Sequence, residues 1–187
     1  MGRMKNDGRK RQWTDKDKQP IPTAKVSLHS KKILLSVWWD MYSVIYYELL
    51  EPNQTINADV YNEQLCRLNL ELIKKRPRLV NIKKVLFHRD NARPHKAQTT
   101  LQKISEFNWE LLSHPAYSPD IVPSDFHLFR ALQNFLLGKK LNSKQDVQNE
   151  LSGFFASKTE SFYSNGIKKL SVRWREIVNS GGKYIID

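Results

Sequence analysis

Two apolar runs only four residues apart set the first constraint on this chain. Ile33 to Trp39 and Val44 to Leu50 are strand-length, rich in β-formers, and joined through Asp40-Met41-Tyr42-Ser43. They predict a hairpin of two adjacent antiparallel strands. Asp40 falls in or near the turn, where an acid is common for purely structural reasons, and that reading is the one favoured for it.

Helices and strands alternate after the hairpin. Beyond the turn-prone Glu51-Pro52-Asn53-Gln54, Asn57 is placed to cap a helix running to about Lys75. Tyr61, Leu65, Leu68 and Leu72 form its apolar face, and Lys74-Lys75-Arg76 close it before Pro77. Ile82 to His88 reads as a buried strand, Ala97 to Ser105 as a short helix and Trp109 to Ser113 as the next strand. The stiff segment His114 to Pro123 holds three prolines and leads to Ser124, a candidate N-cap for a helix over Asp125 to Leu137 with Phe129, Leu132 and Leu136 inward. Two helices follow. Ser143 to Ala156 opens with a Ser-Lys-Gln-Asp capping box and buries Val147, Leu151 and Phe154; Ile167 to Asn179 buries Ile167, Leu170, Trp174 and Val178 and ends at Gly181-Gly182. This order is that of an α/β domain with a mixed sheet, in which acids at strand ends can converge in a crevice.

Charge points to the partner. The chain carries a net +12, and residues 1 to 32 hold ten Lys/Arg against three Asp, so more than half of the excess lies in the first sixth. With Pro20 and Pro22 and no apolar periodicity, this is a basic, extended arm. Nucleic acid is favoured over a membrane as the anionic partner, because neither a lipid-binding amphipathic helix nor an apolar span occurs. Arg9-Lys10-Arg11-Gln12-Trp13 suits phosphate contact plus stacking, and a solvated tail with one tucked tryptophan fits it equally well. Arg89 and Arg93, beside the central strand end, are the other candidate DNA contacts. The single cysteine, Cys66, excludes an internal disulfide and a cysteine-rich zinc site, and is expected in the core. The polar start, Met1-Gly2-Arg3-Met4-Lys5-Asn6-Asp7, is no signal peptide, and an intracellular protein is expected.

Two aspartates are the candidates for chemistry. Asp90 follows a buried strand, Asp125 starts a helix, and thirty-four residues separate them. Carboxylates on separate elements suit hard divalent cations, a pair of which can activate a nucleophile and stabilise the leaving oxygen of a phosphodiester. Taken singly, each has the better ordinary explanation: Asp90-Asn91 as a turn pair, Asp125 as a first-turn acid. His88 and His95 match no zinc spacing and have no cysteine near.

Trp38-Trp39-Asp40, Val44-Ile45-Tyr46-Tyr47-Glu48-Leu49-Leu50, Asp90-Asn91-Ala92, Ala116-Tyr117-Ser118-Pro119-Asp120 with Pro123-Ser124-Asp125, and Phe162-Tyr163, Gly166-Ile167, Leu170 and Arg173-Trp174 together resemble the catalytic region of a mariner transposase over roughly residues 9 to 187. The resemblance implies a ribonuclease H-like mixed sheet flanked by helices, with residues 1–30 as a clamp-like arm and 31–187 as a partial catalytic domain. It implies cut-and-paste cleavage and strand transfer of DNA in the nucleus at a two-metal Mg2+ or Mn2+ site, with Asp90 and Asp125 as the second and third metal-binding acids. The family's first acid lies on the first strand of the domain, ahead of the arm, and no residue here matches it; among residues 1–8 only Asp7 is acidic, and it corresponds to a position further on. The expectations are a domain lacking its first strand, impaired metal binding and lost or nearly lost cleavage. The family's helix-turn-helix region has no counterpart either, so DNA binding is expected to be electrostatic and salt-sensitive. The alternative is a non-catalytic DNA-binding or dimerisation module that pairs with itself or with full-length transposase.

Overall fold

The computed structural model describes residues 2–3, 33–51, 53–81 and 84–185. The elements are β1 (Gly2–Arg3), β2 (Leu34–Trp39), β3 (Val44–Leu49), α1 (Ala58–Lys75), α2 (Pro77–Asn81), β4 (Leu86–His88), α3 (Arg93–Lys96), α4 (Gln98–Glu106), β5 (Glu110–Leu112), α5 (Arg130–Leu136), α6 (Lys144–Ala156) and α7 (Glu160–Asn179). A 3-10 turn over Pro119–Ile121 and a wide π-helical turn over Ser124–Phe129 lead into α5.

The hairpin is the centre of the molecule because both of its faces are covered. Leu35, Val37 and Trp39 of β2, with Tyr47 and Leu49 of β3, pack toward Leu128, Leu132, Leu151, Phe154 and Tyr163 on the C-terminal helices. Trp38, Ile45 and Tyr46 pack on the opposite side, toward Tyr61, Leu65, Leu68 and Leu72 of α1. Such a sheet has no solvated face, which is why the runs read as continuously apolar. Trp38 pairs with Tyr46 and Trp39 with Val44, so Ile45 is the extra residue of a β-bulge. Two polar links tie the hairpin to α1: Ser36 Oγ donates to Gln64 Oε1 at 3.2 Å, and Arg67 donates to both oxygens of Glu48, at 3.0 and 3.2 Å.

Local signals read from the sequence match their elements. Asn57 Oδ1 accepts the Val60 N–H at 2.9 Å, and Tyr61, Leu65, Leu68 and Leu72 are all buried. Ser143 and Asp146 form the reciprocal capping box of α6. Gly181 (φ 70°) and Gly182 (φ 88°) end α7, with the Gly181 N–H on the Val178 carbonyl and the Gly182 N–H on that of Ile177. That pair of bonds is a Schellman cap, which needs the left-handed backbone glycine supplies.

Several expectations are corrected. Cys66 is exposed on the outer side of α1 rather than in the core. The first helix ends at Lys75 as expected, and a short helix that was not expected, α2, opens with Pro77 at its first position, where the missing N–H costs nothing. The last helix begins at Glu160, its buried residues are Tyr163 and Gly166, and Val178 is 76% exposed. Periodicity marks a helix face but not how far along the helix that face has something to pack on. The α/β fold itself is as expected, and among the described residues its strands form an antiparallel ladder β1-β2-β3 and a parallel pair β4-β5. On the side of β2 away from β3, the pairing is two residues long, Gly2 with Leu35 and Arg3 with Leu34. The rest of the 1–30 arm, with Arg9, Lys10, Arg11 and Trp13, lies outside the described residues, as do Pro52 and the first two residues of the run that begins at Ile82.

Candidate active site

Asp90 sits two residues past the C-terminal end of β4, the edge of a parallel pair at which α/β folds place ligands. The next residues turn back sharply, and the Asp90 carboxylate fixes that turn: Oδ1 accepts the Ala92 N–H at 3.0 Å and lies 2.5 Å from His95 Nδ1. An ionised carboxylate only accepts, so Nδ1 carries the proton. His95 is buried, its ring 4.1 Å from that of Tyr61 on α1. Burial alone would raise the Asp90 carboxyl, but the hydrogen bond and charge of His95, with the Ala92 amide, hold it well below the usual carboxylate range. His95, which sequence spacing rejected as a zinc ligand, is therefore the group that keeps Asp90 ionised.

The second carboxylate arrives on the helical segment packed across the hairpin. Ser124 does not cap it as expected. Its hydroxyl accepts the Trp39 indole N–H at 3.0 Å, pinning the turn to β2, while the Asp125 and Phe126 N–H groups bond to the Val122 carbonyl. Burial pushes the Asp125 carboxyl up, and the negative charge of Asp90 pushes it further in the same direction. The two acids thus sit on separate elements, thirty-four intervening residues apart, with the charge of Asp90 acting on the Asp125 carboxyl. A partly buried carboxylate held above its usual range is one that a divalent cation would relieve, and carboxylate oxygens are the donors a hard cation takes. Among the described residues no third acid, histidine or cysteine completes a metal-holding group.

The surrounding residues fix the loops between these acids. Asn91 Nδ2 donates to the His114 carbonyl at 2.6 Å, and His88 Nε2 lies 3.3 Å from His114 Nδ1. Burial, with the charge of His114, pulls His88 down to about 4, so it is neutral at pH 7. Arg89 folds back to donate to the Asp90 carbonyl at 3.1 Å, whereas Arg93 is exposed. Asp120 went unassigned in the sequence and is 5% exposed; its Oδ2 accepts the Ile185 N–H at 3.0 Å and its carbonyl accepts Arg173 Nη1 at 2.8 Å. The Arg173 guanidinium also lies 4.1 Å from the ring of Phe126, the neighbour of Asp125. No local signal marks these partners, which lie 53 and 65 residues away. Asp40, by contrast, does what a turn acid does: it accepts the Tyr42 and Ser43 N–H groups and a fork from Arg76 at 2.6 and 3.1 Å.

The two acids should behave oppositely in stability measurements. Asp90 has a depressed folded-state pKa, so its contribution is present above the unfolded value of about 3.9 and is lost as pH falls through the folded one. Asp125 has a raised pKa, so its stabilisation exists only in acid and disappears as pH rises through the folded value. At pH 7 and without metal, Asp125→Asn is expected to raise the melting temperature and Asp90→Asn to lower it, with both differences shrinking toward pH 3. A lower Tm for Asp125→Asn at pH 7 would contradict the crowding of the two charges.

A family model described as "Transposase (partial DDE domain)" matches residues 3–82. The chain is 41% identical over 178 residues to the mariner Mos1 transposase of Drosophila mauritiana, covering 95% of this chain and 52% of that protein. It also superimposes on the solved Mos1 transposase catalytic domain with a TM-score of 0.82 and 44% identity, over 85% of this chain and 80% of that one. The chain belongs to the mariner transposase family. Its fold is the ribonuclease H-like α/β fold of the Mos1 catalytic domain, and it is a mariner-type transposase catalytic domain by family and by structure. The human histone-lysine N-methyltransferase SETMAR is 40% identical over 179 residues, 96% of this chain and 26% of that protein. The mariner chain thus spans about half the length of one curated relative and a quarter of the other. Mos1 structures include a paired end complex with Mn, TM-score 0.87 and 42% identity over 96% of this chain and 52% of that one, and the catalytic domain with raltegravir and Mg.

Proposed function

We propose that this chain is the catalytic part of a cut-and-paste DNA transposase, in which Asp90 and Asp125 hold Mg2+ or Mn2+ against a phosphodiester at a transposon end in the nucleus. What supports this reading is the placement of two part-buried acids on separate elements, Asp90 just past the end of β4 and Asp125 on the turn pinned to β2, with the charge of Asp90 acting to raise the Asp125 carboxyl. A bound divalent ion would supply activation of the attacking oxygen and neutralisation of the leaving one. The chain's own groups do the rest: His95 and the Ala92 N–H keep Asp90 ionised and oriented, and the Trp39 to Ser124 bond fixes the turn that presents Asp125. Exposed Arg93 and the cationic arm residues Arg9, Lys10 and Arg11 are suited to phosphate contact.

Two carboxylates are fewer than a pair of metals requires, and no residue of this sequence matches the family's first acid. Assayed by itself, the 187-residue chain should therefore leave a transposon-end duplex uncut in manganese. Nicking that disappears in Asp90→Ala would overturn that inactivity while supporting the site. The charge concentrated in residues 1–32 favours a second reading, a DNA-binding or dimerising module that pairs with full-length transposase. Failure to retain an intact mariner transposase in a pull-down would count against it.

A further inference from the structure

The loop between β5 and the turn of Asp125 displays one side chain that packs on none of the described residues. Tyr117 is 99% exposed, while the next most exposed large hydrophobic residue among those described, Val178, is at 76%. Its backbone is left-handed, with φ 56°. Of the three described non-glycine residues with positive φ, the other two are Asn53 and Asn108, and asparagine tolerates that region where a bulky side chain does not. A tyrosine that makes no packing contact and holds a strained backbone is being presented rather than buried, and such strain persists only where the surroundings impose it.

The surroundings do impose it. Pro115 and Pro119 restrict the backbone on either side. The His114 carbonyl is held by Asn91, next to Asp90, and Ser118 Oγ donates to the Ala116 carbonyl at 3.1 Å. At the far end Asp120 is tied to Arg173 and to Ile185. The loop thus starts at one acid's neighbour and leads to the turn that carries the other, and along it the Tyr117 ring stands in solvent.

We propose that Tyr117 is a stacking platform for an unpaired nucleobase of the DNA strand being processed at the Asp90–Asp125 site. This rests on DNA being the partner. A paired base hides its face inside the duplex, so a ring of this kind reads single-stranded overhangs or displaced bases and is indifferent to sequence. A stacked aromatic contributes about 1–3 kcal/mol per base, which is roughly five- to 150-fold in affinity.

The test compares two fluorescent duplexes of the same sequence, one blunt and one with a short 3′ overhang containing 2-aminopurine, against wild type, Tyr117→Phe, Tyr117→Ala and Tyr117→Gly. Wild type and Tyr117→Phe should bind the overhang about ten-fold more tightly than the blunt duplex and quench the 2-aminopurine. Tyr117→Ala and Tyr117→Gly should lose both the preference and the quenching and keep blunt-duplex affinity. Tyr117→Gly should also melt about 2–4 °C higher, because it removes the strain. Unchanged overhang affinity and quenching in Tyr117→Ala would overturn the platform while leaving DNA binding intact. Absence of any DNA binding by wild type would overturn the DNA-partner reading along with it. Loss of a dimer in Tyr117→Ala with DNA binding unchanged would also overturn it, in favour of a protein contact.

Discussion

Gly166→Ala is expected to destabilise the protein by about 1–3 kcal/mol, and Gly166→Val by more, although alanine is the better helix former by about 1 kcal/mol. Gly166 is buried in α7 where that helix crosses the hairpin. A Cβ built there would lie 2.4 Å from His127 Cδ2 and 2.9 Å from Trp39 Cη2. Neither ring is free to retreat. His127 Nε2 is bonded to the Phe162 carbonyl at 2.9 Å, its ring lies between those of Trp39 and Phe162, and the Trp39 indole is bonded to Ser124. Displacing this stack moves the turn that carries Asp125, so the substitution should weaken metal binding as well as lower Tm. Gly153→Ala on α6 is the control: a Cβ there meets nothing within 4 Å, and the change should stabilise by about 1 kcal/mol. Chemical denaturation of both variants checks the pair. A Gly166→Ala variant as stable as wild type would mean that the packing of α7 on the hairpin is looser than described.

What could be read before the fold was known were features whose physics is local. The α1 face of Tyr61, Leu65, Leu68 and Leu72, the Asn57 cap, the Ser143–Asp146 box and the terminal glycine pair each depend on residues within a turn or two. What could not be read depends on partners brought together by the fold. Ser124 looked like a cap because its sequence position is right for one, but the Trp39 indole, 85 residues earlier, claims its oxygen. His95 had no visible task until the turn at Asp90 placed its Nδ1 on the carboxylate and the ring against Tyr61. Of the candidate site, the two acids and their interval were legible through the family resemblance, and the groups that hold each of them in place came only from the fold.

The second large effect concerns those acids. If Asp90 and Asp125 hold one divalent ion together, removing either should cost at least about ten-fold in manganese affinity, the loss that even an outer partner of a ligand can cause. Removing the second should then cost little more, because ligands of one ion are not independent. Two unrelated surface carboxylates would instead give small and additive losses. Asp40→Asn should leave manganese binding unchanged, since the Asp40 carboxylate is engaged by Arg76 at the hairpin turn. The most direct measurement is a manganese titration followed by the electron paramagnetic resonance of free Mn2+, on wild type, Asp90→Asn, Asp125→Asn and the double variant. A shared site predicts that the three variants lose affinity nearly equally; unchanged affinity in either single variant, or losses that simply add, would contradict it.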